Sequence, residues 1–322
     1  MAIRTKKFMA NKTAPPVQRR KLSKVIAKDF RRNWPLYLLV LPVVAWYIIF
    51  QYWPMYGVQI AFRDFRLSLG FLRSPWVGLD NFVRFFRGFF AWRLIRNTFL
   101  INLYSLLWGF PAPIIFALLL NELKGERFKR IIQNFSYLPH FISLVVIAGM
   151  IHMFSASQGL FNNIGAIFGH TPTPLLQHIQ YYRTIYIASG IWQGLGWSSI
   201  IYIAAISGVD QELYEAATVD GARRFRRMWH ITLPGIRPTI LILFIMNIGS
   251  LMSMGAEKTL LLYNPAIYEV ADVIPTYIFR LGLERFDFSF GAAVGLLNSG
   301  VNLIMLISAN YICKKLSGTS LW

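Results

Sequence analysis

Apolar residues dominate six stretches of the chain, and polar or basic residues separate these stretches. A helix needs about 20 apolar residues to cross the hydrocarbon core of a bilayer. Inside lipid every backbone polar group needs a partner in its own segment, so runs of this length predict α-helices. The pattern therefore predicts an all-α membrane protein with about six transmembrane helices. The predicted spans lie at about residues 36–54, 95–120, 135–155, 184–206, 236–256 and 289–312.

The composition supports this prediction and narrows the chemistry. Of the 322 residues, 55% are hydrophobic and 15% are charged, which is too apolar for a soluble domain of this size. A single cysteine, Cys313, excludes an internal disulfide. The five histidines are scattered, without the spacing of a metal site. We predict no catalytic residues, no metal site and no cofactor bound by this chain.

The basic residues predict the orientation of the helices. The net charge is +19, and 22 of the 33 Lys and Arg residues fall in the first 33 residues, in two short loops and at the C-terminal end. Basic residues in short loops mark the cytoplasmic side of a membrane protein. Both termini are therefore predicted to be cytoplasmic. The excess charge is explained by contact with membrane lipid, and nucleic acid is not a predicted partner.

The chain divides into four predicted regions. The first apolar run is longer than the core of a signal peptide and no small-residue cleavage site follows it, so it predicts a retained helix rather than a cleaved one. The predicted regions are a basic cytoplasmic tail (1–33), the first transmembrane helix with an outer segment (34–94), a core of five transmembrane helices (95–312) and a cytoplasmic end (313–322).

The most distinctive polar segment lies between the fourth and fifth spans, at about 207–235, and reads EAATVDGARRFRRMWHITLP from Glu215. It predicts two short helices, 211–219 and 222–231. Asp220 is expected to cap the second helix, because a carboxylate accepts hydrogen bonds at a helix start. Gly221 permits a tight turn, and Pro234 is expected to end the second helix. Two alanines in the first helix leave a face that another protein can approach closely.

This loop has alternative interpretations. It could be an amphipathic loop that rests on the membrane. Its basic residues could anchor the loop on anionic lipid, or they could contact acidic residues of a partner protein. The basic residues concerned are Arg223, Arg224, Arg226 and Arg227.

The spans lack the groups that would power transport. No ionisable side chain lies in the middle of a predicted span, although ion-coupled carriers place charged groups near the midplane. The chain also lacks the glycine-rich G-x-x-x-x-G-K-[ST] loop that holds nucleotide phosphates. The first observation disfavours a secondary transporter, and the two together indicate that energy comes from another chain.

Uncharged polar and aromatic residues within the spans are candidates for a sugar path, because glycans present hydroxyl groups and flat C–H faces. They could instead join helices by hydrogen bonds. The stripe of Gly190, Gly194 and Ser198 predicts close packing of helix backbones. Pro111 and Pro113 predict a bend in the second span. The candidate path residues are Trp192, Gln193, Trp197, Asn247, Asn298 and Asn302.

The outer segments at 54–93, 155–174 and 257–287 are long for connecting loops. They predict short interfacial helices that form a docking platform and partly cover the path, or that simply pack at the interface. Their excess of arginine over acidic residues would attract an anionic substrate.

The pattern E-A-A-x-x-D-G-A followed by L-P resembles the cytoplasmic coupling loop of binding-protein-dependent ABC importer permeases. From Trp34 onwards, segments such as GIWQGLGWSSIIYIAAISGVDQELYEAA and the C-terminal TSLW resemble the polysaccharide-permease branch, including permease subunits of bacterial alginate importers. The resemblance implies type I ABC importer permease architecture. The residues that it assigns to ATPase coupling are Glu215, Ala216, Ala217, Asp220, Gly221, Ala222, Phe225, Leu233 and Pro234.

The resemblance also implies an assembly in the bacterial inner membrane. Its other members would be a second homologous permease subunit, two ATPase subunits that bind ATP and Mg, and an extracytoplasmic solute-binding protein. The chain itself would be a translocation subunit without enzymatic activity. Its expected cargo is an acidic, alginate-like oligosaccharide or polysaccharide. The alternatives are a different sugar within the same family and, from another class, an ion-coupled secondary carrier.

Overall fold

The computed structural model describes residues 22–252, 255–318 and 320–321, so residues 1–21 of the predicted basic tail lie outside the described residues. Within the described residues the fold is helical, and its β structure is an isolated antiparallel bridge between Arg63 and Trp76. The all-α prediction is therefore confirmed. The chain separates into two compact units, Met1–Gly57 and Val58–Trp322.

The first unit contains the first predicted span. Helix α1 (Leu22–Tyr47) continues through a π-helical segment, Ile48–Tyr52, into the short helix α2 (Trp53–Met55). The backbone leaves helical geometry at Asn33, two residues before Pro35. Pro35 cannot donate a backbone hydrogen bond, and a proline ring clashes with the carbonyl group four residues earlier, so a kink is expected in the turn before it.

The second unit contains sixteen α-helices within its described residues. A 3₁₀ segment, Tyr56–Phe62, precedes them. They are α3 (Gly70–Arg73), α4 (Asp80–Arg87), α5 (Ala91–Tyr104), α6 (Pro111–Asn121), α7 (Glu126–Tyr137), α8 (Leu144–Ser155), α9 (Leu160–Ile167), α10 (Ile179–Ser207), α11 (Gln211–Val219), α12 (Arg224–Arg227), α13 (Leu233–Gly235), α14 (Arg237–Gly249), α15 (Ala256–Leu262), α16 (Tyr268–Ala271), α17 (Ile274–Ile278) and α18 (Phe288–Ser317).

Four helical runs of the described chain are long and apolar enough to cross a membrane. A fifth qualifies if the segments Arg224–Gly235 and Arg237–Gly249, which meet at a bend of 61°, count as one span. The first, second and sixth predicted spans coincide with long helical runs, so their existence as helices is confirmed. The number of spans and the side on which the termini lie stay predictions. The four runs are Phe30–Phe62, Ala91–Asn121, Leu144–Ile167 and Phe288–Lys315.

The third span was predicted too early in the sequence. Residues 126–137 form the separate, basic helix α7, and a 3₁₀ turn with Pro139 follows it. The apolar helix α8 starts only after Ser143, whose hydroxyl accepts a hydrogen bond from the Val146 N–H. A proline turn followed by a serine N-cap separates the two helices, because each interrupts continuous helical hydrogen bonding.

The fifth span was predicted to continue to residue 256, but α14 ends at Gly249. The reason lies in α18. The Asn302 side-chain oxygen accepts a hydrogen bond from the Met252 N–H at 2.8 Å, and the Asn298 amide donates to the Met252 carbonyl at 3.1 Å. These bonds satisfy the backbone of a turn that would otherwise be buried without partners. Tertiary contacts therefore end the helix.

Helix α10, with 29 residues, covers the predicted fourth span. It is nevertheless not among the helices that are apolar enough to qualify as spans by composition. It packs against α6 and α7, and contributes Tyr182 and Tyr202 to two buried clusters. Its glycine, serine and glutamine residues lower its hydropathy. The length of the helix fits a span, and several of its residues line the cavity described below.

The prolines of the second span act through a wider helical turn. The π-helical segment Ser105–Gly109 joins α5 to α6, and α6 begins at Pro111. The extra residue of a π turn accommodates a proline that cannot donate to the preceding turn. The run Ala91–Asn121 still qualifies as one helix.

The predicted outer segments contain short helices, as expected. A buried ionic network is centred on Asp272, which lies between α16 and α17 in the last of these segments. The Asp272 side chain is fully buried and lies 2.7 Å from an Arg280 nitrogen and 3.6 Å from one of Arg93. It also accepts a hydrogen bond from the Thr276 hydroxyl at 2.8 Å. A buried carboxylate with several partners holds such irregular segments in one arrangement.

Candidate functional site

The first candidate site is the helical loop, defined here as residues 210–235. Helix α11 has the predicted bounds, and the Asp210 carboxylate caps it by accepting from the Glu212 N–H at 3.0 Å. Gly221 follows with φ +73°, a left-handed conformation that glycine adopts without strain. This geometry lets the Ala222 N–H donate to the Ala217 carbonyl at 2.8 Å and closes the helix end. The predicted turn at Gly221 is confirmed.

Two details of this loop were predicted incorrectly. The second helix begins at Arg224, with Arg223 at its N-cap, and Asp220 is instead the C-cap residue of α11. The left-handed Gly221 places two further residues between the helices, so the Asp220 cap does not form. The second helix also continues through the π-helical segment Met228–Thr232 and past Pro234 to Gly235. Pro234 stands in the first turn of α13, where its missing N–H is tolerated.

Hydrogen bonds and close packing hold the helical loop against itself and the neighbouring chain. The Tyr214 and Thr232 hydroxyls lie 2.9 Å apart and join the two arms of the loop. A Cβ on Gly235 would lie 2.8 Å from a methyl group of Val209, so the start and end of the loop pack closely. The helical loop is thus a braced projection rather than a free connection.

Two of the four loop arginines turn back onto the chain. Arg227 donates to the Thr218 hydroxyl at 2.8 Å, and Arg224 donates to the Glu122 carbonyl at 3.3 Å. Both interactions brace the helical loop. Lipid anchoring and contact with a partner protein both stay predictions for these arginines.

The outer face of the helical loop combines charged, small and apolar side chains. Val219 is 88% exposed and Phe225 is 71% exposed, on either side of the Gly221 turn. Exposed apolar residues that form a patch with a polar rim mark a protein contact surface. The predicted coupling residues divide into an exposed and a half-buried group. Exposed are Glu215, Ala216, Asp220, Gly221, Phe225 and Pro234, and half-buried are Ala217, Ala222 and Leu233.

The second candidate site is the inter-helix cavity, a space of about 730 Å³ between α5, α6, α10 and α14. Its lining is largely apolar, with a few polar groups from the π-helical turn at Ser105 and from α10. A cavity of this size is within the range that holds a small ligand. Its polar and charged lining residues are Asn102, Ser105, Tyr186, Ser198, Tyr202, Asn247 and Lys258.

The structure brings two of the six predicted path residues to this cavity. Trp197 and Asn247 line it, and the Trp197 ring stacks on His140 at 4.5 Å. Gln193 instead makes a long hydrogen bond, 3.5 Å, to the Ile142 carbonyl.

The remaining path candidates lie away from the cavity lining. Trp192 is half exposed, and Asn298 and Asn302 hold the Met252 turn. All six assignments to a sugar path stay predictions.

The small-residue stripe on α10 plays a different role from the one predicted. Gly190, Gly194 and Ser198 all line the cavity rather than a tight helix contact. A Cβ on Gly194 would meet only the Ser198 hydroxyl, at 3.9 Å. The close backbone contact occurs at Gly196, where a Cβ would overlap the Ser136 carbonyl of α7. Spacing alone could not show which face of α10 meets another helix.

Lys258 is a cavity residue that sequence reasoning missed. It lies in the predicted outer segment, two residues beyond the end of the predicted fifth span, and its side chain reaches back to α10. Lys258 is 8% exposed, and burial lowers the pKa of its amine to about 8. Its sequence position gave no clear signal, because the fifth span had been predicted to continue to residue 256.

Comparison with known proteins identifies the family. Residues 109–318 match the family of binding-protein-dependent transport system inner membrane components. The chain belongs to this family. The permease also matches Protein LplB of Bacillus subtilis, with 43% identity over 88% of the permease and 90% of LplB. A second relative is YteP of the same organism, the polygalacturonan/rhamnogalacturonan transport system permease protein, with 40% identity over 92% of each chain.

Solved structures show the same fold. A chain of a bacterial ABC transporter involved in the import of the acidic polysaccharide alginate matches with a TM-score of 0.85 and 40% identity. The match covers 91% of the permease and 99% of that chain. A chain of a bacterial alginate ABC transporter in complex with an alginate pentasaccharide-bound periplasmic protein matches with the same TM-score and identity. The type I ABC importer permease fold is thereby confirmed, and the permease is a sugar-importer subunit of this family.

Proposed function

We propose that this permease is the translocation subunit of an ATP-driven importer that moves acidic, uronate-rich oligosaccharides of the alginate type into the bacterial cytoplasm. It receives the sugar from an extracytoplasmic binding protein and works beside a second, homologous permease subunit. Two ATPase subunits on the cytoplasmic face bind ATP and Mg and supply the energy.

The observation that carries the energy-coupling part is the helical loop itself. Its two arms are joined by the Tyr214–Thr232 hydroxyl contact, and the Gly221 turn fixes the angle between them. A braced projection can transmit a displacement to the helices that carry it, whereas a flexible loop cannot. Its exposed apolar and small residues suit a cleft on an ATPase, and the sequence itself contains no glycine-rich nucleotide loop.

The substrate class rests on similarity to two acidic systems. The alginate importer chain and the polygalacturonan/rhamnogalacturonan permease YteP are each 40% identical to this permease across about nine-tenths of its length. AraP of Bacillus subtilis, an arabinooligosaccharide permease, is 29% identical. The nearer similarity to transporters of uronate polymers favours an acidic cargo over a neutral one.

Reconstitution of the complete importer in proteoliposomes tests this proposal. The permease is purified with its ATPase, its second permease subunit and its binding protein, and ATP is enclosed inside. The expected result is uptake of an alginate or galacturonate oligosaccharide that requires both the binding protein and hydrolysable ATP. An arabinooligosaccharide of equal length serves as the neutral comparison.

The outcomes separate the alternatives named for this chain. Uptake of the neutral sugar alone would replace the acidic cargo by a different sugar of the same family. Uptake by the purified permease alone, driven by a proton or sodium gradient, would identify a secondary carrier and reject the proposed coupling.

A further inference from the structure

We infer that Lys258 is a carboxylate-binding residue within the inter-helix cavity, and that it distinguishes acidic from neutral sugars during translocation. This inference rests on the proposed function, because it assigns a contact to the acidic cargo. It goes further by naming a cation from an outer segment as a determinant of specificity.

The geometry places the amine at the boundary of the cavity. Lys258 Nζ donates to the Tyr186 carbonyl of α10 at 2.6 Å and lies 4.6 Å from the centre of the Tyr186 ring. Gly190, one turn further along α10, has no side chain, and a Cβ at that position would lie 3.2 Å from Nζ. The absence of a side chain at Gly190 leaves the flank of the ammonium group open to the cavity that both residues line.

The charge of Lys258 is not neutralised by the described protein. In the described part of the chain the ion pairs involve other residues, and the Tyr186 carbonyl is the single hydrogen-bond acceptor of an ammonium group with three donors. Burying a cation without a carboxylate is unfavourable. A purely structural link between α15 and α10 requires only a neutral donor. An unpaired buried charge beside a cavity is instead typical of a ligand-binding group.

The apolar lining of the cavity favours binding of an anionic sugar over a neutral sugar at this cation. Lys258 is the sole ionisable lining residue apart from two tyrosines among the residues that the structure describes. In an apolar surrounding, one positive charge attracts an anion more strongly than it would in water. A carboxylate on a sugar ring can accept the two remaining ammonium donors, whereas a neutral hydroxymethyl group cannot neutralise the charge.

Further cationic groups lie toward the start of α10. Arg183, one turn before Tyr186, donates to the Asn97 side-chain oxygen at 3.1 Å. Arg96, beside Asn97 on α5, donates to the Glu269 carbonyl at 3.4 Å. In these contacts the acceptors are an amide oxygen and a backbone carbonyl, so neither arginine is paired with a carboxylate. Positive groups in the neighbourhood of a binding site raise the local concentration of an anionic substrate.

The test uses the complete reconstituted importer with two matched variants. Lys258→Met removes the charge and keeps a flexible side chain, and Lys258→Arg keeps a cation with donors. Uptake is measured for an oligogalacturonate and for the same oligosaccharide after reduction of its carboxyl groups, each at a concentration that saturates the binding protein. Detergent-stable assembly with the ATPase is checked for each variant.

The expected result is a loss of oligogalacturonate uptake of at least about tenfold in Lys258→Met, because a charge-assisted contact is removed, with Lys258→Arg within about threefold of the wild type. Both variants should carry the reduced sugar as well as the wild type does. If the wild type does not carry the reduced sugar, the two variants are compared by their rates of oligogalacturonate uptake. Equal rates in Lys258→Arg and Lys258→Met overturn the inference.

Other outcomes are equally decisive. Wild-type oligogalacturonate uptake by Lys258→Met would overturn the inference and leave the proposed function standing. Equal loss of both sugars in Lys258→Met would assign Lys258 a structural role and also overturn it. A wild-type importer that carries only the reduced sugar would reject the proposed substrate class, and the inference with it.

Discussion

Replacement of Gly221 by valine tests whether the shape of the helical loop couples ATP hydrolysis to transport. Gly221 has φ +73°, and a Cβ built there meets no atom within 4 Å. The substitution therefore introduces no steric overlap with the rest of the chain, and its cost is conformational. A left-handed residue with a Cβ costs roughly 1–2 kcal/mol, and a β-branched residue lies at the upper end of that range.

This cost predicts the size of the effect. If the strain is relieved by opening the turn, the ratio of closed to opened loop falls about 5- to 30-fold, since each 1.4 kcal/mol is a factor of ten in an equilibrium constant. The hydrogen bonds from the N–H groups of Gly221 and Ala222 to α11 would be lost in the opened form. We expect sugar uptake per ATP hydrolysed to fall, by at most that factor, with little change in folding of the helices.

The matched control is Gly221→Asn, because asparagine adopts the left-handed conformation more readily than valine. Both variants are compared with the wild type in proteoliposomes, with uptake and ATP hydrolysis measured on the same samples. Asparagine should retain most of the coupling. Equal coupling in the valine variant and the wild type would refute the reasoning, and so would equal loss in both variants.

Three further predictions address packing, buried charge and pH. Gly196→Ala should lower the thermal unfolding temperature in detergent, by overpacking worth about 1–3 kcal/mol, whereas Gly194→Ala should leave it nearly unchanged; equal shifts would contradict the assigned helix contact. Asp272→Asn should destabilise the protein by about 2–4 kcal/mol because it leaves the partly buried charges of Arg93 and Arg280 unpaired, while the exposed Asp64→Asn should cost less than about 1 kcal/mol in the same denaturation assay. Uptake of an acidic sugar should fall as the pH rises through about 8, because the Lys258 amine then loses its proton, and the Lys258→Arg importer should show no such fall.

The lowered pKa of Lys258 also predicts how the stability of the protein changes with pH. The pKa of Lys258 is lowered from 10.5 to about 8, so the unfolded chain binds more protons between these values and stability should rise with pH there. Uptake and stability should thus change in opposite directions. The titratable and charged groups on the helices near Lys258 include His152 on α8, Tyr182, Arg183 and Tyr186 on α10, and Tyr277 on α17. The Lys258→Arg comparison isolates the effect of Lys258, because these groups are the same in both importers.

Much of the fold could be predicted because lipid imposes a simple rule on sequence. Long apolar runs must be helical, and the helices Ala91–Asn121 and Phe288–Lys315 coincide with predicted spans. The bounds of α11 and the turn at Gly221 were also predictable, since a local cap, a glycine and a small-residue pattern act within a few residues. These features depend on interactions close in sequence.

The errors arose where residues distant in sequence decide the outcome. The fifth span ends at Gly249 because Asn298 and Asn302, about fifty positions away, bind the Met252 turn. The same two asparagines had been assigned to a sugar path, since an amide that holds a turn and an amide that binds a glycan look alike in sequence. The face of α10 that packs, at Gly196, was likewise decided by its neighbour Ser136.

The sequence by itself determined that this protein is a helical membrane protein with a short helical projection, because hydropathy and local turn chemistry depend on residues that are adjacent in the sequence. Its resemblance to importer permeases supplied the function. Only the tertiary structure decided what faces the cavity. Lys258 enters it from an outer segment because α14 ends early and the Lys258 amine donates to the Tyr186 carbonyl of α10, and Gly190 leaves space for the amine. The direction of a side chain depends on the arrangement of several helices, which no single stretch of sequence specifies.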